Sequence, residues 1–345
     1  MPMQVIYGRR SLVAWVGAAL LTAGVALGQT KAQKAAGYDR AARATLLHDA
    51  EVYVEADANS QRISEVTPGH EVVVVRRSGQ WVQVFANTDA GDEQQEDASD
   101  TPEFGGDDTP TPASGWIHDK GIVSPQTPGG DAILFGAAAN MEAEAEQPHP
   151  PKGAAEAAHL LYKRVPDYFP TSPLAAEAAW RAADIRWQLD KLDISTLPSA
   201  KEQQAYLRPQ IYDGAMKKLM KTYPGTSYAA RAAYEMLDNK LCGDWQGLPK
   251  CPEMESGLYE KYARQYPDSP KAPEALYNAT YRQGVAVTMY NVQDDKKKAD
   301  EAAKRTADLA QQMQQQYPKS DYTARAAAIA YKVQQGIPVY GSDRD

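Results

Sequence analysis

An aromatic-proline phrase occurs four times in this chain, at Phe169-Pro170, Tyr223-Pro224, Tyr266-Pro267 and Tyr317-Pro318, each time followed by an alanine-spaced stretch. Four residues before each aromatic stand Val165, Leu219, Tyr262 and Met313, and eight before stand Leu161, Ala215, Leu258 and Leu309. Steps of four put these side chains on one helix face, and the proline forbids that helix to continue. Ser172, Ser227, Ser269 and Ser320 follow as N-caps of the next helix. Small residues come after them: Ala175, Ala230, Ala272 and Thr323, then Ala178, Ala233, Ala275 and Ala326. Trp180, Tyr234 and Tyr277 sit beside these at core spacing. Such self-similarity predicts an array of helix pairs, which serves more often as a binding scaffold than as a seat of catalysis.

This pattern, over residues 152–335, resembles divergent tetratricopeptide repeats like those of bacterial outer-membrane assembly lipoproteins and the Tol-Pal periplasmic coordinator. The prolines lie 54, 43 and 51 residues apart, against about 34 for the standard repeat. The excess falls around 192–209, 241–252 and 291–295, where longer loops or longer helices must absorb it. Three full helix pairs with a partial one at each end are expected. By the resemblance, the inner face carries residues one and five positions after each leading aromatic. These are Arg181 and Ile185, Glu235 and Asn239, Asn278 and Arg282, with Asp184, Asp238 and Tyr281 where the family has small residues.

Residues 45–124 have a different period. The segments 51–54, 63–66, 71–76, 81–85 and 116–123 alternate as short strands, with turns at Pro68-Gly69 and Ser78-Gly79. Val52-Tyr53-Val54, Val66-x-Pro68-Gly69, Trp81-Val82-x-Val84 and Gly115-Trp116-Ile117 together resemble the bacterial SH3 domain. Trp81 and Trp116 are read as core positions, with an exposed peptide groove as the alternative. Between 86 and 114 the chain is rich in Asp, Glu, Gly and Pro and has no Lys or Arg, which reads as a disordered acidic insertion. The Gly129-Gly130 pair is read as loop punctuation.

Arg9-Arg10, the apolar run 12–27 and the small-x-small exit at Ala26-Leu27-Gly28 form a secretory signal, with an uncleaved anchor as the alternative. Cleavage before Gln29 would change the formal charge from −8 to −10. An acidic chain with no basic patch argues against nucleic acid, and Lys296-Lys297-Lys298 reads as a solvated helix start. Cys242 and Cys251 are the two cysteines; in an exported chain they predict a local disulfide pinning a loop between paired helices.

Chemistry-bearing motifs do not accumulate. His48, His70, His118, His149 and His159 are scattered, read as surface or barrel-edge residues, and no His-Glu-x-x-His, Gly-x-Ser-x-Gly or phosphate-binding glycine loop occurs. No metal and no cofactor are expected.

The fold class expected is multidomain α+β, an SH3-like barrel followed by an all-α tetratricopeptide-like solenoid. Its parts are a signal peptide (1–28), linker (29–44), barrel (45–124), linker (125–151), repeats (152–337) and tail (338–345). The expected role is a non-catalytic, periplasmic or envelope-associated adaptor. Its groove would hold an envelope protein or peptide, and its barrel would dock to peptidoglycan or protein. The alternatives are an assembly or chaperone-like factor for outer-membrane proteins, and a wall-active enzyme targeted by the barrel. A polar groove would favour a folded partner, an apolar one the chaperone.

Overall fold

The computed structural model describes residues 42–89 and 111–341. The proposed signal peptide and most of the acidic insertion lie outside these residues.

The N-terminal unit is a curled, seven-stranded antiparallel sheet, ordered β3-β2-β6-β5-β4-β1-β7. Its strands are β1 (Arg43–Leu46), β2 (Ala50–Tyr53), β3 (Arg62–Val66), β4 (Glu71–Ser78), β5 (Trp81–Ala86), β6 (Ala113–His118) and β7 (Ile122–Val123). Alternation decides the faces: Val82, Val84, Ala86 and Ile117 point inward with Leu46, Val52, Val66 and Val72. Register slips between Val74 and Arg76, leaving Val75 exposed. Two expectations need correction here. β1 starts inside the stretch read as a linker, and it buries Ala44 and Leu46 between β4 and β7. The segment 116–123 is not one strand, because Gly121 turns the chain at φ 66° between β6 and β7.

Nine α-helices follow among the described residues. They are α1 (Gly130–Ala145), α2 (Ala154–Tyr168), α3 (Ala175–Ser195), α4 (Gly214–Thr222), α5 (Ser227–Glu235), α6 (Lys250–Gln265), α7 (Ala272–Val292), α8 (Lys296–Gln316) and α9 (Asp321–Gln334). Each of α2, α4, α6 and α8 ends at the aromatic of a repeat phrase. Phe169, Tyr223, Tyr266 and Tyr317 share one cap conformation, with φ −129°, −124°, −129° and −132° and ψ 61°, 56°, 60° and 52°. Each donates its N–H to the carbonyl of Val165, Leu219, Tyr262 or Met313 at 2.8–2.9 Å. Each accepts from the N–H three residues on: Ser172, Thr226, Ser269 or Ser320.

That pattern corrects the second repeat by one residue. Thr226, not Ser227, is the N-cap, its hydroxyl accepting from Ala229 N–H at 3.2 Å. Thr226 stands three residues after its aromatic, as Ser172, Ser269 and Ser320 do, and Gly225 before it has φ 76°. The equivalent small residues are then Ala178, Ala232, Ala275 and Ala326, all 0% exposed. Ser172 and Ser269 instead accept from Leu174 and Lys271 N–H at 3.1 Å, a step before their helices start. Ser320 is an N-cap by position, with no side-chain bond.

Because Ala275 lies between Tyr262, Leu276 and Met313 in one core, a larger side chain has no room. Ala275→Leu should cost about 1–3 kcal/mol by overpacking, read as a lower denaturant midpoint; an unchanged midpoint would show the helices are loosely packed.

The excess repeat length is absorbed in both ways. Between α3 and α4, and between α5 and α6, it forms loops containing short 3₁₀ turns. Between α7 and α8 the loop is short, and both helices run to 21 residues. The stretch 125–151, expected as a linker, holds α1, so a complete helix pair stands where a partial one was expected. Gly129 caps α1 at φ 65°, and Gly130 lies directly under Phe169, where a Cβ would meet the ring at 2.4 Å.

Sheet and helices are joined through a buried seam. Val123 shares a core with Leu134, Leu161 and Val165. Gly69, at φ 89°, sits so close to α2 that a Cβ would meet the Leu160 Cβ at 2.4 Å. Arg164 donates from Nε to the Gly69 carbonyl at 2.9 Å and pairs with Asp89. Asp89 also accepts from Glu71 N–H at 3.0 Å and bonds His70 Nδ1 at 3.3 Å. Thus residues 86–89, read as the start of a disordered insertion, belong to the folded core: Ala86 pairs with Ala113, and Asn87 and Asp89 are buried.

Candidate functional site

Six residues were expected on the inner face, and the structure separates them. Arg181 is held by Glu177 (2.8 Å), Glu142 of α1 (2.8 Å) and the Tyr162 hydroxyl (3.1 Å), with its guanidinium over the Phe135 ring at 5.4 Å. Ile185 packs on the apolar core below it. Asn239 clamps the α3–α4 loop, accepting from Ile211 N–H at 2.9 Å and donating to the Ile211 carbonyl at 2.8 Å. These side chains are framework contacts.

Asn278 and Arg282 contact one another, and Glu235 neighbours Asp184 and Lys271. Asn278 donates to the Tyr234 hydroxyl at 3.0 Å and accepts from Arg282 at 3.2 Å. Arg282 pairs through Nε with Glu255 at 2.6 Å and stacks over Tyr259 at 4.5 Å. Glu255 is 1% exposed, and its other oxygen accepts from Cys242 N–H and Trp245 Nε1 at 2.9 and 3.1 Å. The Cys242–Cys251 disulfide is formed and closes the loop that carries Trp245. Glu235 is pushed up to about 7, first by burial and then by the neighbouring Asp184 charge, with Lys271 opposing.

Around Glu235 one ion pair crosses between segments and the other polar contacts are local. Lys191 of α3 pairs with Asp238, and Gln188 donates to Asp184 at 3.2 Å. Lys271 bonds Glu274 at 3.0 Å and lies over the Tyr234 ring at 5.0 Å. The one-and-five spacing missed Lys271 and Glu274 because they precede the aromatic of α7; their place two and five residues after Ser269 was the available cue.

The sheet carries a second surface. Trp81 and Trp116, expected in the core, are half-buried on its outer face, since Val82, Val84 and Ile117 take the inward positions. His118 stacks on Trp81 with ring centroids 4.0 Å apart, Tyr53 meets Trp81 edge-on at 5.6 Å, and Arg76 covers Trp116 at 4.9 Å. A cleft of about 700 Å³ opens beside them, lined by Tyr53, His118, Glu51, Asp49 and Lys120.

A third concavity, about 390 Å³, lies between α2 and α4 over Ala179, Ala182 and Ala183 of α3. His159, expected on the surface, is buried beside it. Its Nδ1 bonds the Ala182 carbonyl at 2.8 Å, and burial, with Lys163, Arg186 and Arg164 nearby, pushes it down to about 3. His70 is buried at the seam, also contrary to expectation.

Among the described residues, no group of three His, Cys, Asp or Glu side chains could hold a metal ion, and no helix is long and apolar enough to cross a membrane. No family model matches the chain, and no curated protein matches it. Among solved structures, the DHF119 filament is similar at 17% identity, over 59% of this chain and 92% of that one, with a TM-score of 0.22. At that score the likeness carries no argument about fold or role.

Proposed function

We propose that this protein is a non-catalytic adaptor of the bacterial envelope, with an SH3-like sheet unit and a tetratricopeptide-like helical array that each take a partner. The observation that carries the reading is the polar face formed by Asp184, Gln188 and Lys191 of α3, Glu235 and Asp238, and Lys271 and Glu274 at the start of α7, with Lys191 and Asp238 pairing between segments. A face of this kind offers directional donors and acceptors to a folded partner or a defined peptide. It is poorly suited to unfolded apolar segments, which disfavours the chaperone alternative. The formed disulfide is compatible with export. Stacked aromatics beside a cleft on the sheet suit the flat faces of a glycan or a peptide, which supports wall docking through Tyr53, Trp81 and His118.

A photo-crosslinking residue at Gln188 tests the array. Discrete adducts in cells from Gln188, and none from Lys217 on α4, are the expected result. A smear of many adducts from Gln188 would favour the chaperone, and none from either position would end the adaptor reading. For the sheet, Trp81→Ala is a cleaner probe than deletion, because removing the sheet would uncover the Arg164 seam. The wild type should pellet with purified sacculi and Trp81→Ala should stay largely in the supernatant.

A further inference from the structure

Helix α9 does not end the ordered chain. Gly336, at φ 69°, reverses its direction, and Ile337 N–H closes the helix by donating to the Lys332 carbonyl at 2.9 Å. Pro338 then forbids further helix. The chain returns over α7. Val339 donates its N–H to Thr288 Oγ1 at 3.0 Å, and the Tyr340 ring packs against Trp245 with centroids 5.7 Å apart. Trp245 in turn contacts Tyr281 at 6.4 Å and lies under the Arg282 guanidinium at 5.7 Å.

The floor of this contact is a glycine inside a long helix. A Cβ on Gly284 would lie 2.8 Å from Ile329 Cγ2 and 3.3 Å from Val339 Cγ2. Glycine within a helix costs about 1 kcal/mol relative to alanine; here it makes room first for Ile329 of α9 and then for Val339 of the returning chain. The wall is equally built: Trp245 is oriented by Glu255 and held on a disulfide-closed loop.

We propose that Gly284, Thr288, Tyr281 and Trp245 form a peptide-binding slot, and that residues 337–341 are its resident, displaceable occupant. The partner it fits presents an extended Pro-Val-Tyr-like segment: a β-branched side chain for the glycine notch, one N–H for Thr288 and an aromatic for Trp245. This rests on the adaptor reading and names the chemistry of one partner segment. A tail tethered directly to α9 acts at an effective concentration on the order of millimolar, so the slot is closed until a partner competes.

A fluorescent peptide with the sequence of residues 337–345 tests this by anisotropy against the full chain and its Val339→Asp variant, which should release the tail. The variant is expected to bind the peptide about tenfold more tightly than the wild type, as fits a site whose competent fraction is low when its tail is docked. A peptide carrying Tyr340→Ala should lose that binding, and Trp245→Ala in the Val339→Asp chain should lose it at an unchanged fold by circular dichroism. Equal affinity for both chains, no binding to a folded Val339→Asp chain, or dimers held by exchanged tails would each overturn the proposal. Its failure is separable from that of the adaptor reading, which the Gln188 crosslinks test without involving the tail.

Discussion

Replacing Arg164 with methionine should destabilise the fold by about 3–5 kcal/mol, the usual loss when one partner of a buried ion pair is removed. The Arg164 side chain is 5% exposed and serves Asp89, the Gly69 carbonyl and, at 4.0 Å, Glu71. Without it two carboxylates stay buried, with Arg43 beside Glu71 and the His70 ring beside Asp89. Burial alone would raise the Asp89 carboxyl; bonds from His70 and the charge of Arg164 overcome this and hold it well below the usual carboxylate range. A depressed carboxylate contributes stability that is complete above its unfolded value of about 3.9 and is lost as pH falls through its folded value. The wild type should therefore lose stability steeply below about pH 4, and Arg164→Met should flatten that acid limb. Denaturant titrations at pH 7 and pH 3 check both points. A variant within error of wild type at pH 7 would mean that the seam does not hold the sheet to α2.

The second large effect concerns a residue first read as a ligand contact. Arg282→Met should also cost about 3–5 kcal/mol, because it strands Glu255, which is 1% exposed and orients Trp245 and the Cys242 backbone. The near-ultraviolet circular dichroism of Trp245 should change as well. If Arg282 served a partner alone, the unfolding midpoint would stay where it is while binding fell, so one unfolding curve separates the two roles.

These residues show what could be read in advance. Proline and its preceding aromatic act locally, so all four helix ends and the four-residue spacing before them were legible. Thr226 was missed because the phrase was read for serine alone, although Thr226 stands three residues after Tyr223 as Ser172, Ser269 and Ser320 stand after their aromatics. Helix α1 was missed because it buries few side chains and opens at Gly129-Gly130, a pair that reads as a break. Asp89 opens an acidic run, and nothing local announces that Arg164, 75 residues away, will cover it. Spacing marked Asn239 and Arg282 as residues to watch. Their partners, Ile211 and Glu255, were not legible, since side-chain pairing between distant segments depends on how the helices stack. The two tryptophans of the sheet follow the same rule: alternation put them opposite the valines, while hydrophobicity alone suggested burial.

The seam at Gly69, Val123 and Arg164 has a consequence for how this molecule would handle two partners at once. A sheet tied to the helices by a flexible tether would let each ligand sample many separations. Here the aromatic surface and the charged face belong to one continuous packed body. The protein would act as a ruler: anything bound at Trp81 and anything bound near Glu235 would sit at a set distance and angle. Such a device gains avidity only for partners whose own spacing matches, and rejects the rest by geometry.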